Sequence, residues 1–218
     1  MMKITRRYPR MMSQKILANV SENFAKAYRL PEGHRSVGFF ATDNDDIAYL
    51  AADDASKKAR IKVLHAETMY GGSRFAGAPR TGTVFIFFSA EKIQDIKSAM
   101  GYIRDFVENS SELYCFDDDR ATSYYAQTIA RTGPFFEEWA NIPAGKAYSY
   151  LVGAPVETNL ALDKALKAGD VKIARFFPSP THANSCGAIL TGTEAACRAA
   201  TAAFVEGLKE VNRDPLHF

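Results

Sequence analysis

Residues 37–41 form a short apolar run of the kind that makes a buried strand. Thr42, Asp43 and Asn44 follow with turn chemistry. Asp43, Asn44 or Asp45 can each cap a helix at this point, and the additional carboxylates favour its positive N-terminal end. Ile47, Leu50, Ala51 and Ala55 then recur at helical spacing, predicting an Ala-rich helix to about residue 59. Acidic side chains at such a strand-to-helix turn either cap the helix or line a small pocket.

The same alternation organises the rest of the chain. Residues 13–18 read as a strand, and Ser21 as the N-cap of a short helix that Pro31 and Gly33 stop. Residues 61–66 alternate as a strand, a Gly-rich loop covers 70–79, and 82–88 is a strongly apolar strand. Ser89 is expected to cap a long helix carrying Ile93, Ile96, Met100, Ile103 and Val107 at helical spacing. From about residue 112 the order starts again: a strand at 123–130, a short helix with Pro134 in its first turn, and a strand at 147–152. Strands at 171–176 and 187–190 and a helix from Thr193 complete it. Pro143 answers Pro31 at a separation of 112 residues, and Asp163 answers Asp53 at 110. Matching punctuation in matching order marks an internal duplication into two tandem units, each mixing strands and helices, so the fold class is α/β or α+β.

Composition narrows the choices. Hydrophobic residues make up 47% of the 218, enough for a substantial core. The net charge of +2 points to no nucleic-acid or membrane partner, and no apolar run approaches the length of a membrane span. The basic first ten residues read as a flexible arm. Cys115, Cys186 and Cys197 are odd in number and widely spaced, which speaks for a reducing compartment rather than a disulfide framework. The four histidines show no zinc spacing, and no cofactor fingerprint is present.

With element order in hand, the chain resembles the bacterial microcompartment shell proteins of the tandem-domain type. The matching segments include Arg35-Ser36-Val37-Gly38, Ala41-Thr42-Asp43-Asn44-Asp45-Asp46-Ile47, Ala51-Ala52-Asp53-Asp54-Ala55-Ser56-Lys57, Ala147-Tyr148-Ser149-Tyr150-Leu151-Val152-Gly153 and Thr191-Gly192-Thr193-Glu194-Ala195. The resemblance implies two circularly permuted shell domains with ferredoxin-like mixed sheets, residues 1–113 and 114–218. It implies a homotrimer with six-sided outline that tiles with other shell proteins, a central pore gated by loops, and small metabolites as ligands. It implies no catalytic residues and no cofactor. The gate falls on Tyr70, Gly71, Gly72, Arg74 and Phe75 in the first unit, and on Pro180, His182, Ala183 and Asn184 in the second. A ligand pocket between the domains falls on Asp45, Asp46, Thr83 and Leu113. The last two depart from the family, which often has glutamate and an aromatic residue there. Glu157 and His182 fall near the pore as weak metal candidates.

Three residue-level readings accompany the resemblance. The small side chains around Ala195, Ala199 and Ala203 suit close packing of surfaces. The Gly-rich loop fails as a phosphate cradle, because no Lys-Ser/Thr follows its glycines. Cys186 beside His182 lacks the third group that a nucleophile needs. The competing function is a cytosolic small-molecule sensor of two ferredoxin-like domains, with Asp45 and Asp46 as its binding site.

Overall fold

The computed structural model describes residues 3–69, 83–116, 122–179, 181–183 and 185–216. Ten strands, six α-helices and one π-helical segment are described. The first unit runs β2 (Met11–Leu17), α1 (Glu22–Ala27), β3 (Ser36–Thr42), α2 (Asp45–Lys58), β4 (Lys62–Met69), β5 (Thr83–Ala90) and α3 (Ile93–Asp105). The second runs β7 (Ser123–Ile129), α4 (Pro134–Trp139), β8 (Ala147–Gly153), α5 (Pro155–Ala168), β9 (Val171–Phe177), β10 (Cys186–Gly192) and α6 (Glu194–Arg213). Between them lie the π-helical Phe106–Ser110 and β6 (Leu113–Phe116), and β1 (Ile4–Arg7) precedes both.

The sheets repeat as the elements do. The first has the order β2-β3-β5-β4, and the second contains β7-β8-β10-β9, all antiparallel. Leu64 bulges from β4 and Ala174 from β9, 110 residues apart, opposite matching points of β5 and β10. Left-handed backbone repeats too: Arg29 and Asn141 have φ of 50° and 53°, and Gly33 and Gly145 have 80° and 69°. Glycine is the residue that takes such angles without strain, so it punctuates the same turn in both units.

Two expectations are corrected. The basic N-terminus is not a free arm among the described residues: Ile4 to Arg7 pair with β6, and Arg6 donates to Ser111 O. That hairpin adds β1 and β6 to the edge of the second sheet, so β1 lies in a different sheet from the other strands of residues 1–113. Ser89 caps no helix; it is a buried strand residue whose Oγ lies 2.8 Å from His34 Nδ1, and α3 begins after Lys92 without a side-chain cap. Ser21 and Thr193 do cap as their chemistry predicts, accepting from Phe24 N and Ala196 N.

One large core crosses both units. Phe40, Ile47 and Leu50 of the first pack with Phe136, Tyr148 and Tyr150 of the second. Tyr125 meets Tyr150 edge to face at 5.7 Å. A second cluster, with Leu151, Leu162 and Phe204, lies between the second sheet and helices α5 and α6. Cys197, Ala200 and Phe204 of α6 face inward, while Ala195, Ala199 and Ala202 are left exposed.

Candidate functional site: an acidic cleft between the units

The start of α2 decides what its two aspartates can do. Asn44 is the cap: its Oδ1 accepts from Ile47 N at 2.9 Å, and Thr42 Oγ1 donates to Asn44 O. Asp45 and Asp46 are thereby released from capping and turn into the seam between the units. Thr68 Oγ1 donates to Asp45 Oδ2 at 2.6 Å, and Tyr49 Oη lies 2.7 Å from the same hydroxyl. Tyr150 Oη, from the second unit, donates to Asp46 Oδ1 at 2.8 Å.

Both carboxyl groups are buried. Burial, and then the neighbouring Asp46 charge, raise the Asp45 pKa well above the ordinary carboxylate range. Burial pushes Asp46 up to about 6, with the Tyr150 hydrogen bond opposing it. The pair therefore tends to hold a proton near neutrality. Protonated, a carboxyl group donates a hydrogen bond; ionised, it accepts several.

The rest of the cavity is aromatic with one cation. Tyr49 and Trp139 approach to 4.9 Å between ring centroids, and Phe177 lies against Tyr150. The Arg175 guanidinium lies 3.9 Å from the Trp139 ring centroid and donates to Trp139 O. Thr181, His182 and Ser185 stand at the same cavity, in a turn closed by Thr181 N donating to Ser185 O. The enclosed volume is about 280 Å³, room for a small polar molecule. Amines and hydroxyls match its chemistry, since both donate to carboxylates and both sit well beside aromatic faces.

A second polar centre locks the units together beneath this cleft. Asp53, in the middle of α2, is fully buried. Its carboxylate accepts from Gly133 N at 3.0 Å, from Phe136 N at 3.0 Å and from the Tyr148 hydroxyl at 3.1 Å, and it pairs with Lys57 Nζ at 3.0 Å. Gly133 is the N-cap of α4 and has no side chain to serve that end. Asp53 supplies the cap from the other unit, where the helix N-terminus welcomes negative charge. A Cβ at Gly133 would stand 2.5 Å from Asp53 O, so glycine is required for this approach.

The structure brings together only some of the residues singled out from the sequence. Asp45, Asp46 and His182 share the cavity, and Ala183 is buried in the adjoining turn. Leu113 lies elsewhere: it is a core residue of β6, opposite Tyr125. The backbone of Thr83 pairs with Met69, one step beyond Thr68, and its side chain lies outside what is described. Tyr70, Gly71, Gly72, Arg74, Phe75, Pro180 and Asn184 lie outside the described residues. Glu157 is buried in the first turn of α5. Among the described residues no three His, Cys, Asp or Glu side chains cluster as a metal site. Cys186 is buried against α5, its Sγ 3.6 Å from Pro155 O, and burial raises its pKa, which keeps the thiol protonated and a poor nucleophile. The sequence reading missed Tyr49, Thr68, Trp139, Tyr150 and Arg175. It noted Asp53 only as a mark of the repeat.

No family model matches the chain. It is 38% identical over 210 residues to the microcompartment shell protein EutL of Clostridium perfringens, covering 96% of this chain and 97% of that one. It is 32% identical to EutL of Escherichia coli K12 over 95% of each. The crystal structure of EutL from Leptotrichia buccalis superposes with a TM-score of 0.92 and 37% identity, covering all of both chains. Likeness of this extent carries the structural, non-catalytic role and its place in the shell as well as the fold. The chain belongs to the EutL family of bacterial microcompartment shell proteins.

Proposed function

We propose that three copies of this chain close into a flat, six-sided ring that tiles with other shell proteins, each copy supplying two circularly permuted shell domains, residues 1–113 and 114–218. The repeat inside the chain carries this reading. Sheet order, strand bulge and left-handed turn residues recur at nearly constant separation. A chain holding two equivalent units fills six places with three copies, and cyclic closure is the usual outcome of such repeats. The segments joining β4 to β5 and β9 to β10 occupy the same place in the two units. We assign them, around Tyr70, Gly71, Gly72, Arg74 and Phe75 and around Pro180, His182, Ala183 and Asn184, to the gate of a central pore for metabolites.

The acidic cleft takes a small polar metabolite between the domains, held by Asp45 and Asp46. Thr83 and Leu113, which resemblance associates with that pocket, leave it without the family's glutamate and aromatic residue. Light scattering at micromolar concentration tests the assembly: about three times the 24.1 kDa chain mass is expected. A clean monomer or dimer rejects it.

A further inference from the structure

Within one chain, the face formed by α2 and β4 of the first unit is covered by the second unit, chiefly by α4. The second unit carries the same face on α5 and β9, and there it is bare among the described residues. Val156 is 73% exposed, Ile173 46% and Phe176 49%. Their counterparts 110 residues earlier are covered: Asp46 is buried, and Val63 and Ala66 are half-buried against the shared core. The Asp163 side chain is 60% exposed where that of Asp53 is wholly enclosed, although both hold the lysine four residues on.

The complementary surface is equally bare. Helix α4 buries Phe135 and Phe136, whereas its counterpart α1 buries no residue, and Tyr28 beside it is 47% exposed. So the chain has one face of each kind engaged internally and one of each kind open. We infer that the α5–β9 face of one copy seats on the α1 face of a second copy, head to tail, with Asp163 at the Ser21 end of α1. The inference rests on the assembly reading above and names the surfaces that make it. A second copy is the occupant because the surface that covers the equivalent face is this chain's own other unit. Such a contact joins different patches, so it repeats until the rotation closes a ring.

The contact at Asp163 differs from its internal model in one respect. Ser21 stands where Gly133 stands in the other unit, and its Oγ already accepts from Phe24 N. The serine hydroxyl proton remains available, and a carboxylate at Asp163 is the acceptor it meets. The rim differs as well: Lys62 pairs with Glu138 inside the chain, but Lys172 and Lys26 hold the corresponding places. Apolar burial at Val156, Ile173 and Phe176 therefore carries more of the seam between copies.

Paired cysteines test the juxtaposition, since Cys115, Cys186 and Cys197 are all buried. The full chain with Ser21→Cys and Asp163→Cys, oxidised and run under denaturing conditions, is expected to give covalent multiples of 24.1 kDa. The pair Lys97→Cys with Asp163→Cys is expected to give none. Independently, Phe176→Asp, a change at an exposed position, is expected to raise the dissociation constant at least tenfold with the circular dichroism spectrum unchanged. If the wild type sediments as an oligomer, yet the first pair fails to cross-link and Phe176→Asp leaves association unchanged, this interface is wrong and the assembly stands. If the wild type stays monomeric at every concentration, the assembly reading itself has failed.

Discussion

Truncating Asp53 to alanine is expected to cost about 3–5 kcal/mol, the range for breaking a buried charged pair by removing one partner. The carboxylate is fully buried and accepts from Gly133 N, Phe136 N and the Tyr148 hydroxyl, with Lys57 alongside. Alanine leaves three buried donors without an acceptor, each worth roughly 1–3 kcal/mol of desolvation. Their simple sum runs past 5 kcal/mol at its upper end, but water entering the vacated space recovers part of it. For a chain of this length, about 2–4 °C of melting temperature follows each kcal/mol, so a fall of roughly 6–20 °C is expected. Urea midpoints at several protein concentrations give the free energy and separate folding from association. A cycle with Tyr148→Phe sharpens the test. In the wild type that change removes a hydrogen bond to a charged group, roughly 1.5–3 kcal/mol. In the Asp53→Ala background it removes an orphaned hydroxyl and should cost nothing or stabilise. A loss below about 1 kcal/mol in Asp53→Ala, or an equal Tyr148→Phe cost in both backgrounds, would refute the reasoning.

Further outcomes are expected at the cleft. Asp46 is raised in the folded state from 3.8 to about 6, so the folded protein holds its proton more tightly than the unfolded chain; this contribution is present in full below pH 3.8, is lost as pH rises to about 6, and amounts to ~3 kcal/mol at 1.36 kcal/mol per unit. Asp46→Asn should therefore gain on the wild type across that window in urea unfolding; parallel pH profiles would count against it. Tyr150→Phe removes the hydrogen bond that lowers the Asp46 pKa, and carboxyl titration followed by NMR should show that pKa rise; no movement would mean the bond is not formed. Ethanolamine should bind weakly by calorimetry and at least tenfold more tightly to Thr83→Glu, since one charge-assisted bond is worth more than the ~1.4 kcal/mol of a tenfold change; tight wild-type binding that the substitution leaves alone would end the idea.

The fold was legible where local chemistry decides. Strands at β3, β5 and β10 are apolar runs, Ser21 and Thr193 cap as serine and threonine should, and Gly33 with Gly145 marks the repeat. It was illegible where a partner far along the chain decides. Residues 4–7 are basic and short, and only pairing with β6, more than 100 residues away, makes them a strand. Ser89 has the composition of a cap, but the β3–β5 register extends the strand through Ala90 and hands the hydroxyl to His34. Local rules describe what a residue favours alone, and the tertiary pairing overrides them.

The candidate site shows the same limit more strongly. Asp45 and Asp46 were visible as an acidic pair, but whether they cap or line a pocket depends on Asn44 taking the cap. Their partners Thr68 and Tyr150 lie 23 and 104 residues away, and no spacing rule connects them. Asp53 did leave a trace: a carboxylate set among Leu50, Ala51, Ala52 and Ala55, in a stretch whose neighbours are all small and apolar. A charge in a stripe bound for the core requires a partner there, because an unpaired buried charge is too costly to survive. That the partner is the uncapped end of α4 explains why the two units share one core instead of two. The polar groups at the seam are satisfied only by residues from across it, so neither unit can release the other without exposing donors and carboxylates together.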